Sequence, residues 1–234
     1  MNKNLLKRIV LTSAIAVLGI STSFAALVME RDQSVDTAPS VGMYRFEVPV
    51  ELQGTYNSAG VANLTASMEK EPNTLSINVA HVKGNPSESY VVEIYKDLTA
   101  IETHRKSDHY QAFVNEVGSK LTNRKMYDVQ SVLLFEKKDA LSIVNDGKAV
   151  VTLTEFTVDS NEIDTVQRQY QLDMERAVRD DAGYKAGYVL RERNAKNRWY
   201  VIQIYSDQEA LTKHLNSPGY RFMMSQIQGS LQGV

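Results

Sequence analysis

The chain has 234 residues, a formal net charge of −2 and no cysteine. The lack of cysteine excludes disulfides, thiolate-held zinc, iron–sulfur clusters and cysteine nucleophiles. Acidic and basic residues are nearly balanced and no basic stripe occurs, so the sequence lacks the electrostatic pattern of a nucleic-acid-binding protein.

The first 25 residues have the pattern of a secretory signal peptide. Lys3, Lys7 and Arg8 form a positive start, and an apolar run of about a dozen residues follows them. Ser23 and Ala25 supply small residues at the −3 and −1 positions of a cleavage site. Because the run is shorter than the roughly 20 residues of a spanning helix, we predict cleavage rather than an uncleaved anchor. We therefore expect a periplasmic or secreted protein without a membrane contact after cleavage.

The next segments predict a ferredoxin-like unit. Residues 26–43 are polar and unpatterned, which indicates a flexible leader. Apolar spacing then predicts alternating strands and helices in the order β-α-β-β-α-β. The predicted strands cover residues 44–52, 74–82, 90–96 and 129–135, and the predicted helices cover residues 58–71, 97–104 and 108–121. This first domain spans residues 44–136.

Part of this unit occurs twice. Residues 90–121 and 200–231 align without a gap at an offset of 110, and ten of the 32 positions are identical. Such a repeat indicates that one structural unit has been copied. The second domain therefore spans residues 149–232, with no obvious fourth strand after its last helix. Either its sheet has three strands, or residues 142–146 or the leader fill the gap.

The repeated motif resembles a known family. It contains Tyr95, Asp97, Ala100, His104 and Tyr110, each of which recurs 110 residues later. The pattern is similar to that of the antibiotic biosynthesis monooxygenases, a family that includes quinol monooxygenases, within the dimeric α+β barrel superfamily. The resemblance implies an α+β fold in which two tandem ferredoxin-like (βαββαβ) units pack as an intrachain dimeric α+β barrel.

The resemblance also implies an activity. Members of this family oxidise phenolic or quinol-type aromatic small molecules with O₂ and without a cofactor. On this chain, the implied catalytic base is His104 or His214, and Tyr95, Tyr205 and Trp199 would orient the aromatic ring. No cofactor and no metal are expected. A non-catalytic periplasmic module that binds a small ligand or serves in stress remains the alternative, and a homo-oligomer is left open.

Each of these residues has a structural explanation that competes with the functional one. Asp97 and Asp207 precede helices, where an aspartate caps the free backbone N–H groups. The two histidines follow apolar residues by three positions, which favours a half-buried histidine at the helix–sheet seam. His104 and His109 lie five positions apart, a spacing that would not put them on one helical face.

Strand alternation predicts further ligand-binding residues. Glu93 lies on the same face as Tyr95, and Gln203 on the same face as Tyr205. This face either lines a polar cavity or forms the seam between the sheets, and the opposite, apolar face is expected to contact the helices.

Aromatic composition favours the second half as the place for a flat ligand. Trp199 and Tyr188 belong to an aromatic group there, which also includes Tyr184, Tyr200 and Tyr205. The predicted ligand-binding set is therefore Trp199, Tyr188, Glu93 and Gln203.

Overall fold

The computed structural model describes residues 7–18, 39–137 and 148–233, and it describes side chains from residue 39 onward. The first part of the chain contains strands β1 (Lys7–Leu18), β2 (Ser40–Glu47), β3 (Thr74–Val82), β4 (Asn85–Tyr95), β5 (Thr122–Tyr127) and β6 (Val129–Glu136), and helices α1 (Gln53–Lys70), α2 (Leu98–Lys106) and α3 (Asp108–Glu116). The second part contains strands β7 (Val150–Val158), β8 (Tyr184–Glu192), β9 (Arg198–Tyr205) and β10 (Leu231–Gln232), and helices α4 (Ile163–Asp180), α5 (Gln208–Asn216) and α6 (Pro218–Ile227).

The two units repeat one another in strand register. Tyr44 pairs with Val91 between β2 and β4, and Thr154 pairs with Val201 between β7 and β9. The pairing of β3 with β4 recurs between β8 and β9, including an irregularity at the start of β3 and β8. The offset of 110 therefore holds beyond the aligned motif, which confirms two tandem ferredoxin-like units.

The last strand of the first unit differs from the prediction. β5 pairs with β2 and completes the first sheet, whereas β6 pairs with β8 at the edge of the second sheet. Residues 129–135, predicted as the fourth strand of the first unit, thus belong to the sheet of the second unit. The true fourth strand was missed because Thr122–Met126 is polar or exposed and lacks an alternating apolar pattern.

The second unit does have a fourth strand, contrary to the sequence prediction. β10 is two residues long and pairs with β7, as β5 pairs with β2. In the second unit, β6 pairs with the outer edge of β8. The corresponding edge in the first unit is that of β3, and β1 pairs with it. β1 lies within the segment predicted to be a signal peptide, and it also pairs with β7. The alternative filler, residues 142–146, lies outside the described residues.

The predicted domain boundaries shift at the start of the first unit. β2 begins at Ser40, so residues 40–43 belong to a strand rather than to the leader. Met43 is fully buried, so packing against the core holds residues 40–43 in the strand. Residues 26–38 of the predicted leader lie outside the described part of the chain. α1 begins at Gln53, five residues before the predicted start.

The core between the two sheets contains the most apolar strand faces. It includes Tyr90, Val92 and Ile94 from the first unit and Tyr200, Ile202 and Ile204 from the second. The rings of Tyr127 and Tyr200 meet edge to face across the two units, with their centroids 5.3 Å apart. The prediction that this apolar face contacts the helices is wrong, because two sheets that pack together need the more completely apolar faces between them.

The opposite faces of both sheets carry the helices. In the first unit, Ile77, Val79 and Val91 pack with Leu64 of α1 and with Val117. Glu93 and Tyr95 therefore lie between sheet and helices, not at the seam between the sheets. None of the helices in the described residues is long and apolar enough to cross a membrane.

The predicted helix caps are present in both units. Asp97 accepts a hydrogen bond from the backbone N–H of Ala100 at 2.9 Å, and Asp207 accepts one from Ala210 at 2.8 Å. Capping accounts for both aspartates.

Candidate functional site

A cavity of about 400 Å³ lies in the first unit, between the sheet and helices α1 to α3. Apolar side chains form its wall, including Leu64, Ile77, Val79, Val91 and Phe113. Its polar lining comes from Tyr44, Asn63, Glu93, His104 and Tyr110. A largely apolar pocket with a few convergent polar groups is typical of a small-molecule site, and this volume suits an aromatic ring system.

His104 is held in one orientation by a buried carboxylate. It is 1% exposed, and its Nδ1 lies 3.1 Å from Oε2 and 3.2 Å from Oε1 of Glu71. Glu71 also accepts a hydrogen bond of 2.6 Å from the Thr74 hydroxyl. A carboxylate at Nδ1 assigns the ring proton to that nitrogen and leaves Nε2 as the acceptor. Nε2 of His104 is buried and has no hydrogen-bond partner among the described residues.

Burial keeps this histidine neutral. Desolvation lowers the pKa of His104, while the charge and hydrogen bond of Glu71 act to raise it. A neutral imidazole with a free Nε2 in a cavity wall can accept a proton from a bound ligand.

His109 hydrogen-bonds to the same carboxylate as His104, although the five-residue spacing predicted that the two histidines would not lie on one helical face. Its Nε2 lies 2.7 Å from Oε1 of Glu71 and 3.0 Å from the hydroxyl of Ser107. The chain is extended at Ser107, which separates α2 from α3 and caps α3, so the two histidines do not lie on one continuous helix.

Glu71, His104 and His109 are also the residues that could hold a metal ion. Their ligand atoms lie within 4.8 Å of one another, and within the described residues they form the one cluster of three such groups. Hydrogen bonds account for the arrangement, because the carboxylate accepts from both histidines and from Thr74.

Glu93 supplies a second titratable group in the cavity. Burial raises the pKa of Glu93 to about 7, while hydrogen bonding from Tyr95 and the charge of Arg105 act to lower it. The Tyr95 hydroxyl donates to Glu93 at 3.1 Å, and the Tyr95 ring lies 5.6 Å from the His104 ring. Tyr95 itself is fully buried behind the cavity, where burial and Glu93 raise its pKa, so it supports the site without lining it.

Asn63 and Tyr44 complete the polar lining. Oδ1 of Asn63 is buried without a hydrogen-bond partner in the described structure. Tyr44 accepts a hydrogen bond of 3.4 Å from Arg105, the residue after His104. Both groups can therefore hydrogen-bond to a ligand without first losing a strong internal partner.

The equivalent histidine of the second unit has no free acceptor. Nδ1 of His214 lies 2.9 Å from Asp181, the counterpart of Glu71. Its Nε2 lies 3.4 Å from Oδ2 of Asp173 and 3.4 Å from Nε2 of Gln203. Arg176 binds both aspartates at 3.0 Å and links the two acids to one cation. The structure therefore brings His214 and Gln203 together, but both ring nitrogens of His214 already have partners within the protein.

Large side chains fill the second unit where the first has its cavity. Tyr170 stands where the first unit has Gly60, and Trp199 stands where it has Ser89. The rings of Phe156 and Tyr170 stack with centroids 5.9 Å apart, and Trp199 is fully buried beside them. The flat-ligand site expected in this aromatic half stays a prediction, and in the structure these aromatic side chains pack against one another.

The remaining predicted residues lie away from the cavity. Tyr188 is fully buried in the core between the sheets, and its hydroxyl donates to Glu136. Tyr205 packs on Tyr184 and His214. A polar cleft of about 370 Å³ in the second unit is lined by Asp181, Asp207 and their neighbours, and includes none of the predicted aromatic residues except Tyr184.

Sequence reasoning missed Glu71 and Asn63. Glu71 enters the sequence analysis only as the last residue of the predicted helix 58–71. The repeat contained a usable signal, because the same offset of 110 places Asp181 opposite Glu71. An acid retained at both copies, each with a retained histidine, indicates an acid–histidine pair.

Comparison with known proteins gives the family. The model of the family described as antibiotic biosynthesis monooxygenase matches residues 41–116 and 149–225, which together are more than half of the chain. A search of curated proteins found no match.

Solved structures show the same two-unit fold. A candidate monooxygenase from Lactobacillus acidophilus NCFM aligns with a TM-score of 0.76 at 19% identity, covering 83% of this chain and 89% of that one. A candidate monooxygenase from Fusobacterium nucleatum aligns with a TM-score of 0.71 at 22% identity, covering 84% and 89%. An anthrone oxidase-like protein aligns with a TM-score of 0.50 at 12% identity, covering 85% and 88%. At these identities the likeness concerns the fold alone.

Proposed function

Because the chain belongs to the antibiotic biosynthesis monooxygenase family, we propose that it is an exported, cofactor-independent monooxygenase that oxidises a phenolic or quinol-type aromatic molecule in the cavity of its first unit. One observation carries the proposal. His104 lines an apolar cavity with an unpartnered Nε2, and a buried carboxylate holds its Nδ1. This is the arrangement of an oriented general base.

The proposed reaction begins with proton transfer. Nε2 of His104 takes the proton of the substrate hydroxyl, and Glu71 stabilises the imidazolium that forms. The phenolate oxygen lies near the Tyr44 hydroxyl, which can donate a hydrogen bond to it. An apolar wall favours electron transfer from the phenolate, because it withholds the water that would stabilise the anion.

The oxidation needs no external reductant. The phenolate donates one electron to O₂, and the superoxide and ring radical combine to form a carbon–oxygen bond. The resulting peroxide anion takes up the ring proton of the same carbon, the O–O bond breaks to release hydroxide, and the carbon becomes a carbonyl. His104 returns the first proton to the departing hydroxide, which leaves as water. The ring carbon is oxidised by four electrons and O₂ is reduced by four. The name of the anthrone oxidase-like neighbour, whose fold aligns, agrees with a substrate of this type.

Oxygen uptake by paired histidine variants tests the catalytic role. With 1,4-naphthohydroquinone as substrate, we expect His104→Gln to lower the enzymatic rate by about 10²-fold or more, the usual contribution of a general base. His214→Gln is the matched control in the other unit and should stay near the wild-type rate. Far-UV circular dichroism verifies that both variants fold. Equal rates in wild type and His104→Gln would contradict the assignment, and isotope-labelled O₂ should place one oxygen atom in the product.

A cavity-filling variant tests the location independently of any proton transfer. A Cβ at Gly60 would meet no atom within 4 Å, so Gly60→Tyr can copy Tyr170 of the second unit without a clash at its base. We expect it to abolish both ligand binding and oxygen uptake while the protein stays folded. Activity that survives this substitution would place the reaction elsewhere. Binding without oxygen uptake in the wild type would support the non-catalytic alternative.

A further inference from the structure

The opening of the first-unit cavity is positively charged. Arg45, Arg105, Arg124 and Lys125 all line it, and the last three are exposed. Glu93 is the one carboxylate among the lining residues. Met126, which also lines the cavity, is 68% exposed beside these cations. The entrance therefore combines an excess of positive charge with an apolar contact surface.

Three of these four cations lack an acidic partner. Arg105 donates to the Tyr44 hydroxyl, and Arg124 donates to the backbone carbonyls of Leu121, at 3.0 Å, and Gly118. Lys125 lies 4.1 Å above the Tyr127 ring. Among the described residues, no carboxylate lies within ion-pair distance of these three groups. In contrast, five other arginines of the described structure pair with carboxylates: Arg45, Arg176, Arg179, Arg193 and Arg198.

Two of these cations have no basic counterpart in the second unit. At the offset of 110, Glu155 replaces Arg45 and Leu215 replaces Arg105. That unit has side chains in place of the cavity, as described above. The cationic residues thus occur in the unit that has the cavity and not at the equivalent positions of the unit that shares only its fold. This distribution indicates a role in ligand selection, because the fold forms without these charges.

We propose that the cavity selects an aromatic carboxylate, whose acid group is bound at the entrance by Arg105 and Arg124 while the phenolic end points inward to His104. This inference rests on the proposed function and names its substrate class. The planar fork of a guanidinium matches the two oxygens of a carboxylate, and backbone carbonyls hold the Arg124 group in place. The Arg105 guanidinium hydrogen-bonds only to the neutral Tyr44 hydroxyl and forms no ion pair among the described residues, although the charge of Glu93 acts on it at longer range.

A matched pair of probes tests the inference by binding alone. 6-Hydroxy-2-naphthoate carries a phenol and a carboxylate at opposite ends, and its methyl ester removes only the charge. Calorimetry on the wild-type protein should show the acid binding at least about tenfold more tightly than the ester, which corresponds to one charge-assisted hydrogen-bonded pair.

Variants locate the charge effect. Arg105→Leu copies the second unit, and Arg124→Gln keeps a polar side chain. We expect each to weaken binding of the acid but not of the ester. Arg179→Leu, on the far helix α4, is the control and should change neither. Equal affinity of acid and ester for the wild type, or equal losses for both probes in Arg105→Leu, would overturn the inference.

The two proposals fail in different ways. If neutral quinols are oxidised while acid and ester bind alike, the monooxygenase proposal stands and the carboxylate inference is wrong. If the acid is selected but neither quinols nor hydroxylated acids take up oxygen, the carboxylate inference stands and the monooxygenase proposal is wrong.

Discussion

Identical histidines in the two units have acquired different surroundings. His104 and His214 each keep an acid at Nδ1, but only His104 has an unpartnered Nε2 in the described structure. The repeat identified both histidines from the sequence. It could not separate them, because the side chains near Nε2 of His214, Gln203 and Asp173, come from other elements of the fold.

The raised pKa of Glu93 gives a prediction on stability. Burial raises the pKa of this group from 4.5 to about 7, so the folded state keeps a proton that the unfolded chain has already released. The free energy of unfolding should therefore fall as the pH rises from 4.5 to 7, by up to about 3 kcal/mol, and stay level above that range. Gln203, its counterpart in the second unit, does not titrate.

Glu93→Gln tests this prediction by imitating the second unit. Urea unfolding at pH 5 and pH 8 should show a smaller difference in unfolding free energy for the variant than for the wild type. The variant should also be the more stable protein at pH 8. The same pH dependence in both proteins would show that Glu93 does not titrate as described.

At the scale of the elements, pattern predicted most helices and strands but not where each strand pairs. β3 has the predicted bounds, and both aspartate caps are present. β6 was predicted as a strand with nearly the observed bounds, yet it joins the other unit. Local alternation reports which residues form a strand and which faces are apolar. It carries no information about the edge that the strand will join.

β1 lies in the segment that signal-peptide cleavage is predicted to remove. The strand covers Lys7–Leu18 and pairs with β3 and β7, but the same residues form the apolar part of the predicted signal peptide. If export cleaves the chain after Ala25, the mature protein contains no β1. We expect the intact mass of protein purified from the periplasm or medium to correspond to residues 26–234.

Mass spectrometry of the exported fraction and of the cytoplasm decides this point. A full-length mass of 26.3 kDa in every fraction would contradict cleavage and would retain β1 in the sheet. A matched chain that begins at residue 26, expressed without export, shows whether the two units fold without β1.

At the scale of the whole molecule, the two units share one core. Side chains from both sheets form a single cluster, and β6 of the first unit extends the second sheet. Neither sheet can bury its apolar face alone. We therefore expect the units to unfold together rather than as independent domains.

A core substitution in the first unit tests this coupling, because the one tryptophan reports on the second. Ile94→Ala should lower the free energy of unfolding by about 2–5 kcal/mol. Trp199 fluorescence and far-UV circular dichroism should shift to the same lower denaturant midpoint. Ile204→Ala is the matched change in the second unit and should behave alike. An unchanged fluorescence midpoint for Ile94→Ala would show independent unfolding.

The sequence by itself determined the two-unit α+β architecture, the family, and the acid-capped helix that carries each histidine. It could do so because these features follow from local periodicity and from a repeat at constant offset. The tertiary structure alone decided which unit holds the cavity, that His109 and Glu71 join His104, and that β6 crosses to the other sheet. These outcomes depend on side-chain volumes such as Gly60 against Tyr170, and on contacts between segments far apart in the chain, which no local pattern contains.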